Sequence, residues 1–396
     1  AYADLALLTP GTTQALRGSL SGRDASYHVN GLRSSFNNFQ LDGVDNNHYG
    51  TSNQGFSSQA VQLSPDAVGE FKVVTNNYSA EYGRAGGAII NAAYRSGTNQ
   101  YHLTLWNFLR NTNLNATGFF KPQFGKPQFN QNQFGASGGG PIVKNRMFFF
   151  ADYESRIRRQ SELSFASVAT DDIRQGIIGA PIVDPLTGDP YGGSGDVVPE
   201  SRRQFYASRL FQDLPSPNRP GIANNFESLP SEKQDDHKGN VKGDFYINDK
   251  LTAFGRYSHR ELDWLDPYSI PGPSGGASNG DIFARNIGFV GGTTWTISPT
   301  SVLEVRVGFT HSRGGKLPST FNGPPTGETY QIPNVPNDEN LGGGAPATTI
   351  GGFSQMGRQR SNPQFQDPDV LNPRVSYSKI FSNHTLKFGY ESQFIN

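Results

Sequence analysis

Residues 303–310 read Leu-Glu-Val-Arg-Val-Gly-Phe-Thr, so that apolar and polar side chains alternate along the chain. A β-strand points successive side chains to opposite faces, so this pattern predicts a strand with one apolar and one polar face. The same alternation occurs in residues 240–247 and 384–394. A soluble β-sandwich and a membrane β-barrel both produce it, and the alternation alone therefore leaves both fold classes open.

The lengths of the connections between strand-like segments favour the barrel. Nine segments are predicted to be strands, and the connections between them are alternately long and short. Long loops on one side and tight turns on the other are typical of outer-membrane barrels. The predicted strands are 101–110, 131–141, 147–158, 235–247, 250–262, 282–297, 300–313, 373–382 and 384–394. The long connections are 111–130, 159–234, 263–281 and 314–372, and the short ones are 142–146, 248–249, 298–299 and a bend near Asn383.

The number of strands has a consequence for the size of the barrel. Residues 161–168 also read as a strand, but a further crossing there would place the following turns on the wrong side. They are predicted to extend the third strand or to lie within the loop, and no helical stripe is predicted beyond the first hundred residues. Nine is an odd number and the last strand has an open edge, whereas a barrel in lipid has to close. The sequence is therefore expected to be the front part of a longer barrel.

The composition excludes several function classes. The chain has 396 residues, no cysteine, and equal numbers of basic and acidic residues, 34 of each. Without cysteine there is no disulfide scaffold, Cys-based zinc site or cysteine nucleophile, and without a basic excess no nucleic-acid partner is expected. No apolar run reaches the roughly 18 residues of a transmembrane helix, and residues 1–20 do not read as a signal peptide. A transmembrane β-barrel is compatible with all of these features.

Two stretches near the N-terminus carry an ordered set of motifs. Residues 27–47 read YHVNGLRSSFNNFQLDGVDNN, and residues 65–98 read PDAVGEFKVVTNNYSAEYGRAGGAIINAAYRSGT. In this order and spacing they resemble the plug domain of TonB-dependent outer-membrane receptors, and most of all the Oar-like subgroup. The barrel entry resembles the same subgroup, with FLRN at 108–111, QNQFGASGGGPI at 131–142 and MFFFADYE at 147–154.

The resemblance implies an α+β plug over residues 1–98 and, over residues 99–396, about nine strands of an antiparallel transmembrane β-barrel of about 22 strands. The implied function is plug-gated import of a large or scarce solute across the cell outer membrane. The implied partners are the TonB complex of the inner membrane, outer-membrane lipid and an unidentified solute, and neither a catalytic step nor a cofactor is expected. The plug signature falls on Asp42, Gly43, Glu70, Tyr82, Gly83, Gly86, Gly87 and Asn91.

This chain departs from the family pattern at two places. Asn76-Asn77 stands where many plugs carry Arg-Gly, and residues 93–95 read Ala-Tyr-Arg in place of Val-Thr-Lys. The plug–barrel salt bridges of other members are therefore not carried over. Residues 148–150 are three consecutive phenylalanines beside a predicted short turn, and they are interpreted as part of an aromatic girdle at the membrane interface.

Other motifs give weaker hypotheses. Residues 135–139 match GxSxG, but a Gly-Pro pair follows where a serine hydrolase needs a helix. Residues 45–50 faintly resemble a calcium loop, but Tyr49 stands where an oxygen ligand is needed and Phe56 replaces the final glutamate, which favours a solvated plug loop. Asp42 and Asp45 remain candidate contacts for a cation or a solute. The seven histidines show no metal-ligand spacing.

Two alternative functions remain open at the level of sequence. The first is a soluble or surface-attached all-β carbohydrate-binding protein, which would have to bury the apolar strand faces under a second sheet. The second is a glycosidase, for which the sequence identifies no pair of carboxylates across a cleft.

Overall fold

Two main β-sheets organise the part of the chain that the structure describes. The structure is a computed structural model that describes residues 2–14, 26–50, 58–119, 125–191, 196–273, 275–276, 278–335 and 342–396. A four-stranded sheet lies near the N-terminus, an eleven-stranded sheet follows it, and two small sheets have two strands each. None of the helices in the described ranges is both long and apolar enough to cross a membrane.

The N-terminal elements, up to Tyr94, are called the plug below. Its strands are β1 (Thr12–Gln14), β2 (Tyr27–Val29), β3 (Asn38–Leu41), β4 (Val44–Asp45), β5 (Val68–Val74) and β6 (Ile89–Tyr94). The four-stranded sheet has the order β4-β3-β6-β5, in which β3 and β6 are parallel and the other neighbours antiparallel. The helical elements in the described part of the plug are the 3-10 helices Tyr2–Leu8, Ser34–Phe36 and Pro65–Ala67.

The turn between β3 and β4 consists of Asp42 and Gly43. Their φ angles are 52° and 75°. Positive φ at both central residues is the geometry of a type I′ turn, which matches the twist of a β-hairpin and for which Asp-Gly is a preferred pair. The Leu-Asp-Gly-Val motif therefore forms a tight hairpin.

The plug sheet has one apolar and one polar face. The apolar face, which includes Leu41 and Ile90, belongs to the buried core of the plug. On the other face Gln40 and Lys72 lie on either side of Asn91 in neighbouring strands. The plug can therefore bury its own core on one side and present amide and charged groups on the other.

The eleven-stranded sheet is called the barrel wall. Its path has the order β7-β8-β9-β12-β13-β14-β15-β17-β18, with all neighbours antiparallel, while β16 pairs with β15 and β19 pairs with β17. Its eleven strands are β7 (His102–Arg110), β8 (Phe129–Val143), β9 (Met147–Ser161), β12 (Ser231–Asn248), β13 (Leu251–Asp266), β14 (Gly280–Ser298), β15 (Ser301–Leu317), β16 (Gln364–Gln366), β17 (Asp369–Phe381), β18 (His384–Glu391) and β19 (Phe394–Ile395). The remaining two, β10 (Ser164–Ala166) and β11 (Phe226–Ser228), form one of the small sheets.

The nine predicted strands are confirmed as the nine long strands of this path. Several of them extend a few residues further at the long-loop end, as β15 does to Leu317. The extensions of β9 and β12, residues 159–161 and 231–234, carry polar side chains on both faces, so apolar alternation could not reveal them. The plug sheet ends at Tyr94 and β7 begins at His102, and the division between residues 98 and 99 stays a prediction.

The long connections contain structure of their own. Residues 161–168 lie partly at the end of β9 and partly in β10, which pairs with β11 inside the loop, as one of the two predictions had it. The expectation of no helix beyond the first hundred residues is wrong, because short helices occur where a loop buries one side chain such as Leu210. These helices are α1 (Asp171–Arg174), α2 (Phe205–Asp213), α3 (Thr326–Tyr330) and the 3-10 helices Thr112–Leu114 and Glu200–Arg202.

Three of the long connections pack into one cap. Val168, Leu210, Ile270, Tyr330 and Met356 belong to a single buried cluster that joins the connections 159–234, 263–281 and 314–372. The hydroxyl of Tyr330 also donates to Oδ2 of Asp213 at 2.6 Å. The cap therefore has a hydrophobic core separate from that of the plug.

Apolar side chains of the barrel strands lie on one face and polar side chains on the other, as the alternation predicts. Val305 and Val307 lie on the outer face and are 39% and 46% exposed. Glu304 and Arg306 lie on the inner face, where Arg306 contacts the plug. The outer face is thus apolar and uncovered in the described residues, as a surface in contact with lipid requires.

The three consecutive phenylalanines correct one prediction. Phe148 and Phe150 are both 7% exposed and face inward, and the ring of Phe150 packs edge-on against Tyr94 of the plug with a centroid distance of 5.5 Å. Phe149 alone lies on the outer face. A girdle of all three is excluded because adjacent residues in a strand point to opposite sides.

Substitution of Val305 by lysine tests this facing. We expect Val305→Lys to reduce the free energy of unfolding in lipid by about 2–4 kcal/mol, because it places a charge on the lipid face near the midplane. The matched control is Thr294→Lys, on the inner face of the neighbouring strand beside Glu304, which should be tolerated. Equal stability of both variants in denaturant unfolding of the lipid-inserted protein would contradict the facing.

Candidate functional site at the plug–barrel interface

The Asp42-Gly43 turn joins the barrel wall through a buried ion pair. Arg256 of β13 donates from Nε to Oδ2 of Asp42 at 2.6 Å, and the side chains of the pair are 3% and 4% exposed. The other carboxylate oxygen of Asp42 accepts from the backbone N–H of Tyr94 at 2.9 Å. Asp42 therefore connects two strands of the plug sheet with the barrel wall.

Two further arginines hold the backbone of the same turn. Arg306 of β15 donates from Nη1 to the carbonyl oxygen of Asp42, and Arg374 of β17 donates from Nη1 to the carbonyl oxygen of Gly43, each at 3.3 Å. A Cβ at residue 43 would lie 1.6 Å from Nη1 of Arg306. Glycine is favoured here by its positive φ, and a larger residue would displace the guanidinium of Arg306.

Strand pairing explains why these cations meet the plug together. Lys242 lies opposite Arg256, and Arg306 lies opposite Arg374. Opposed residues of neighbouring strands share a face, so the alternation that turns apolar side chains outward turns all four cations inward. Nζ of Lys242 donates to the carbonyl oxygen of Tyr94 at 3.3 Å. The inner face of the wall is thus a set of cations that hold plug backbone and carboxylate oxygens.

A second ion cluster is more exposed to solvent. Oε2 of Glu81 accepts from Nη2 of Arg374 at 3.1 Å and from Nζ of Lys387 at 2.6 Å. The side chains of Glu81 and Lys387 are 24% and 41% exposed. Burial alone would raise the pKa of the Glu81 carboxyl, but the hydrogen bond and charge of Lys387 and the charge of Arg374 hold it below its ordinary value.

Asp45 lies at the other end of the hairpin in a hydrogen-bonded network. Its backbone N–H donates to Oδ1 of Asn372 in β17 at 2.9 Å, and its carboxylate accepts from Nδ2 of Asn47 at 2.6 Å and from Nε2 of Gln393 at 3.0 Å. Burial raises the pKa of this carboxyl despite these donors. The carboxylates of Asp42 and Asp45 both accept hydrogen bonds from protein donors, and their contact with a cation or a solute stays a prediction. Among the described residues no three acidic or histidine side chains are grouped as a metal site requires.

The structure places three glycines of the predicted signature inside the plug. The carbonyl oxygen of Gly83 accepts from Nδ2 of Asn38 at 2.9 Å. The backbone N–H groups of Gly86 and Gly87 donate to the carbonyl oxygen of Phe36 at 3.0 and 3.1 Å. These residues fold the segment before β6 back onto the plug and do not touch the barrel wall in these contacts.

The remaining signature residues face the interface. The ring of Tyr82 lies 6.0 Å from the guanidinium carbon of Arg374. Glu70 and Asn91 line a hollow of about 270 Å³ that also borders Asp42, Gly43 and Arg306. These residues lie on the plug side of the interface, although the sequence marked them only as parts of a plug motif.

Sequence reasoning did not name the barrel side of the interface. The inward cations were recognisable only as members of polar strand faces, since alternation shows which way a side chain points but not which plug residue it meets. The residues concerned are Lys242, Arg256, Arg306, Arg374 and Lys387.

The two ion clusters are expected to differ in strength. Asp42→Asn leaves the buried guanidinium of Arg256 without its carboxylate and should destabilise the docked plug by about 3–5 kcal/mol. Glu81→Gln is the matched control, because its exposed ion pairs should contribute about 1 kcal/mol or less. The measurement is the susceptibility of the plug to protease over a denaturant series. Equal effects of the two variants would show that burial does not set the strength of the interface.

The Glu81 cluster should make plug docking depend on pH. Because the folded pKa lies below the ordinary value of 4.5, this contribution is fully present above pH 4.5 and is lost as pH falls through the lowered pKa. We expect plug proteolysis to increase over that acidic range, and the increase to be smaller in Glu81→Gln. The same acid response in both proteins would assign it to other groups.

Comparisons with known proteins agree with this arrangement. Residues 93–396 match the family model of the outer membrane beta barrel domain, and residues 2–89 match the TonB-dependent receptor plug domain. Over 192 residues the chain is 30% identical to the TonB-dependent transporter Oar of Myxococcus xanthus, a match that covers 46% of this chain and 17% of that protein.

A solved structure shares the fold. The outer membrane transporter YddB from Escherichia coli superposes with a TM-score of 0.61 at 12% identity, over 99% of this chain and 45% of that chain. The chain thus spans less than half the length of either protein. With a barrel-domain match over more than half of its residues and a plug-domain match before it, the chain belongs to the TonB-dependent receptor family of the outer membrane, in an Oar-like form.

Proposed function

We propose that the protein imports a solute across the outer membrane through a barrel that its own plug closes. In this proposal the TonB complex of the inner membrane supplies the energy that moves the plug. The observation that carries the proposal is the polar interface around the Asp42-Gly43 hairpin. Its ion pairs and hydrogen bonds connect the plug to four strands of the barrel wall.

A polar interface suits a plug that has to move. Water can replace a hydrogen bond or an exposed ion pair at little cost in free energy, whereas exposing a hydrophobic core is costly. The apolar face of the plug sheet packs mainly within the plug, and Phe150 is the buried barrel residue in that cluster. Displacement of the plug along its polar face would therefore leave most of its core intact.

The cap of long connections supports the same direction of transport. In outer-membrane β-barrels the long loops lie on the outer side of the membrane and the short turns lie on the periplasmic side. The buried cluster around Tyr330 and Ile270 gives the cap a defined shape, as a surface that recognises a solute needs. The solute and the outward position of the cap remain part of the proposal, as does the absence of a catalytic step.

The carbohydrate-binding alternative loses its structural basis. It required a second sheet over the apolar strand faces, and in the described residues Val305, Val307 and Phe388 remain exposed on the outer face. It also required the plug-like motifs to be accidental, whereas residues 2–89 match the plug-domain family.

A disulfide between plug and barrel tests whether the plug must move. A Cβ at residue 308 of β15 would lie 3.0 Å from Cβ of Val44 in the plug, slightly closer than the separation of about 3.5–4.5 Å in a disulfide. The chain has no other cysteine. In the intact receptor, Val44→Cys with Gly308→Cys should abolish uptake when oxidised, and reductant should restore it.

The assay is accumulation, in cells, of a ferric chelate, oligosaccharide or peptide that is lost when the gene is deleted. A control disulfide between Thr293→Cys and Val305→Cys, which are paired within the barrel wall, should leave uptake unchanged. Continued uptake with the plug–barrel disulfide fully formed would contradict the proposal.

A further inference from the structure

The polar face of the plug sheet lies over hollows and not over packed side chains. Gln40 and Lys72 lie on either side of Asn91 on this face. Two hollows of about 270 and 170 Å³ lie between these residues and the barrel wall. We call the larger one, bordered by the exposed side chains of Glu70 and Lys72, the open hollow, and the smaller one the inner hollow.

The inner hollow is lined by a buried polar side chain whose oxygen has no protein partner in the described residues. Gln40 is 3% exposed and lines this hollow, and its Oε1 has no hydrogen-bond partner among the described residues. A buried amide oxygen without a partner costs about 1–3 kcal/mol. The hollow is far larger than the 10–15 Å³ or so that one water molecule needs. The volume and the polar lining of the inner hollow are therefore suited to water molecules.

Arg306 lies where the two hollows meet. Gly43, Asn91 and Arg306 border both of them. The guanidinium of Arg306 is held across this boundary by the carbonyl oxygen of Asp42 at 3.3 Å on one side and by Oε1 of Glu304 at 3.2 Å on the other. The missing side chain of Gly43 provides the space that the guanidinium occupies.

We infer that Arg306 is the gating residue of a polar passage between the plug sheet and the barrel wall. Withdrawal of its guanidinium from the Asp42 carbonyl joins the open and inner hollows. The inner hollow is bounded on its other side by the ion cluster of Glu81, Arg374 and Lys387. This inference rests on the proposed function. The wall of the passage is hydrophilic, because amide groups and charged groups of both signs line the two hollows.

Hydrophilic solutes fit such a wall better than apolar ones. Its amide groups, Gln40 and Asn91, can exchange hydrogen bonds with a passing hydroxyl, amide or carboxylate group. Four acidic and five basic side chains line the two hollows, so the wall holds no large unbalanced charge that would trap an ion of one sign. Movement of the plug hairpin, which supplies one of the two acceptors of Arg306, is what releases the gate.

Cysteine labelling measures the gate directly, because the chain has no native cysteine. Gln40→Cys places one thiol in the inner hollow, and the probe is a water-soluble maleimide applied to the intact receptor in lipid. We expect slow labelling with Arg306 in place and labelling at least tenfold faster in Arg306→Ala. Arg306→Lys should give an intermediate labelling rate, because the lysine side chain is shorter and cannot bind both the Asp42 carbonyl and Glu304. This variant also provides a test if the alanine variant does not assemble.

Two controls separate gating from general loosening. Lys72→Cys reports the open hollow and should label at the same rate with or without Arg306. Arg285→Ala removes an arginine on the outer face, bound to Glu261 and Asp263, and should leave the labelling of Gln40→Cys unchanged. Equal labelling of Gln40→Cys with arginine, lysine and alanine at residue 306, or equal acceleration by Arg285→Ala, overturns the inference.

The labelling result does not depend on transport. Faster labelling in Arg306→Ala together with uptake that survives the plug–barrel disulfide would keep the gate and reject plug movement as the transport step. Unchanged labelling together with uptake that the disulfide blocks would keep the proposed function and reject Arg306 as its gate.

Discussion

In lipid, every backbone N–H and C=O group has to find a partner within the protein, and this constraint shapes the rest of the structure. Antiparallel neighbours satisfy it along the path from β7 to β18. The strand geometry then turns alternate side chains outward and inward, so that Val305 faces lipid while Arg306 faces the plug. The plug consequently meets a polar wall and is held there mainly by charges and hydrogen bonds.

The interface that results is graded in burial. At one end Asp42 and Arg256 form a pair shielded from water, and at the other Arg374 and the exposed Lys387 share the carboxylate of Glu81. Between them the hollows along Gln40 and Asn91 border both plug and wall. A plug attached in this way can lose its exposed contacts first and its buried pair last. The gradient thus links the packing of the interface to the order in which its contacts would break if the plug moves as proposed.

The sequence was sufficient for the architecture because alternation, turn residues and loop length each report on one local property. Nine strands and their facing follow from them. The extensions of the strands and the short helix α2 do not, because polar strand ends and loop helices have no repeating apolar pattern. The phenylalanines at 148–150 show the limit within a strand, since composition pointed to a girdle while geometry placed two of them inside.

The plug side of the candidate site was predictable and the barrel side was not. Asp42 and Gly43 belong to one short motif, whereas Arg256 and Arg306 reach them across more than two hundred residues of sequence. Such distant pairs are decided by the register of the strands around the plug. The three glycines of the plug signature proved to shape the plug itself, which a short sequence motif cannot distinguish from a role at the interface.

Hydrogen–deuterium exchange of the intact receptor in lipid tests the central claim most directly. If the plug is held by a polar interface, amides of residues 65–98 should exchange as one unit and faster than those of β12 to β15, and Asp42→Asn should accelerate only the plug unit. Exchange of plug and barrel amides at the same rate, with the same response to the substitution, would contradict the account by showing that the two form one cooperative core.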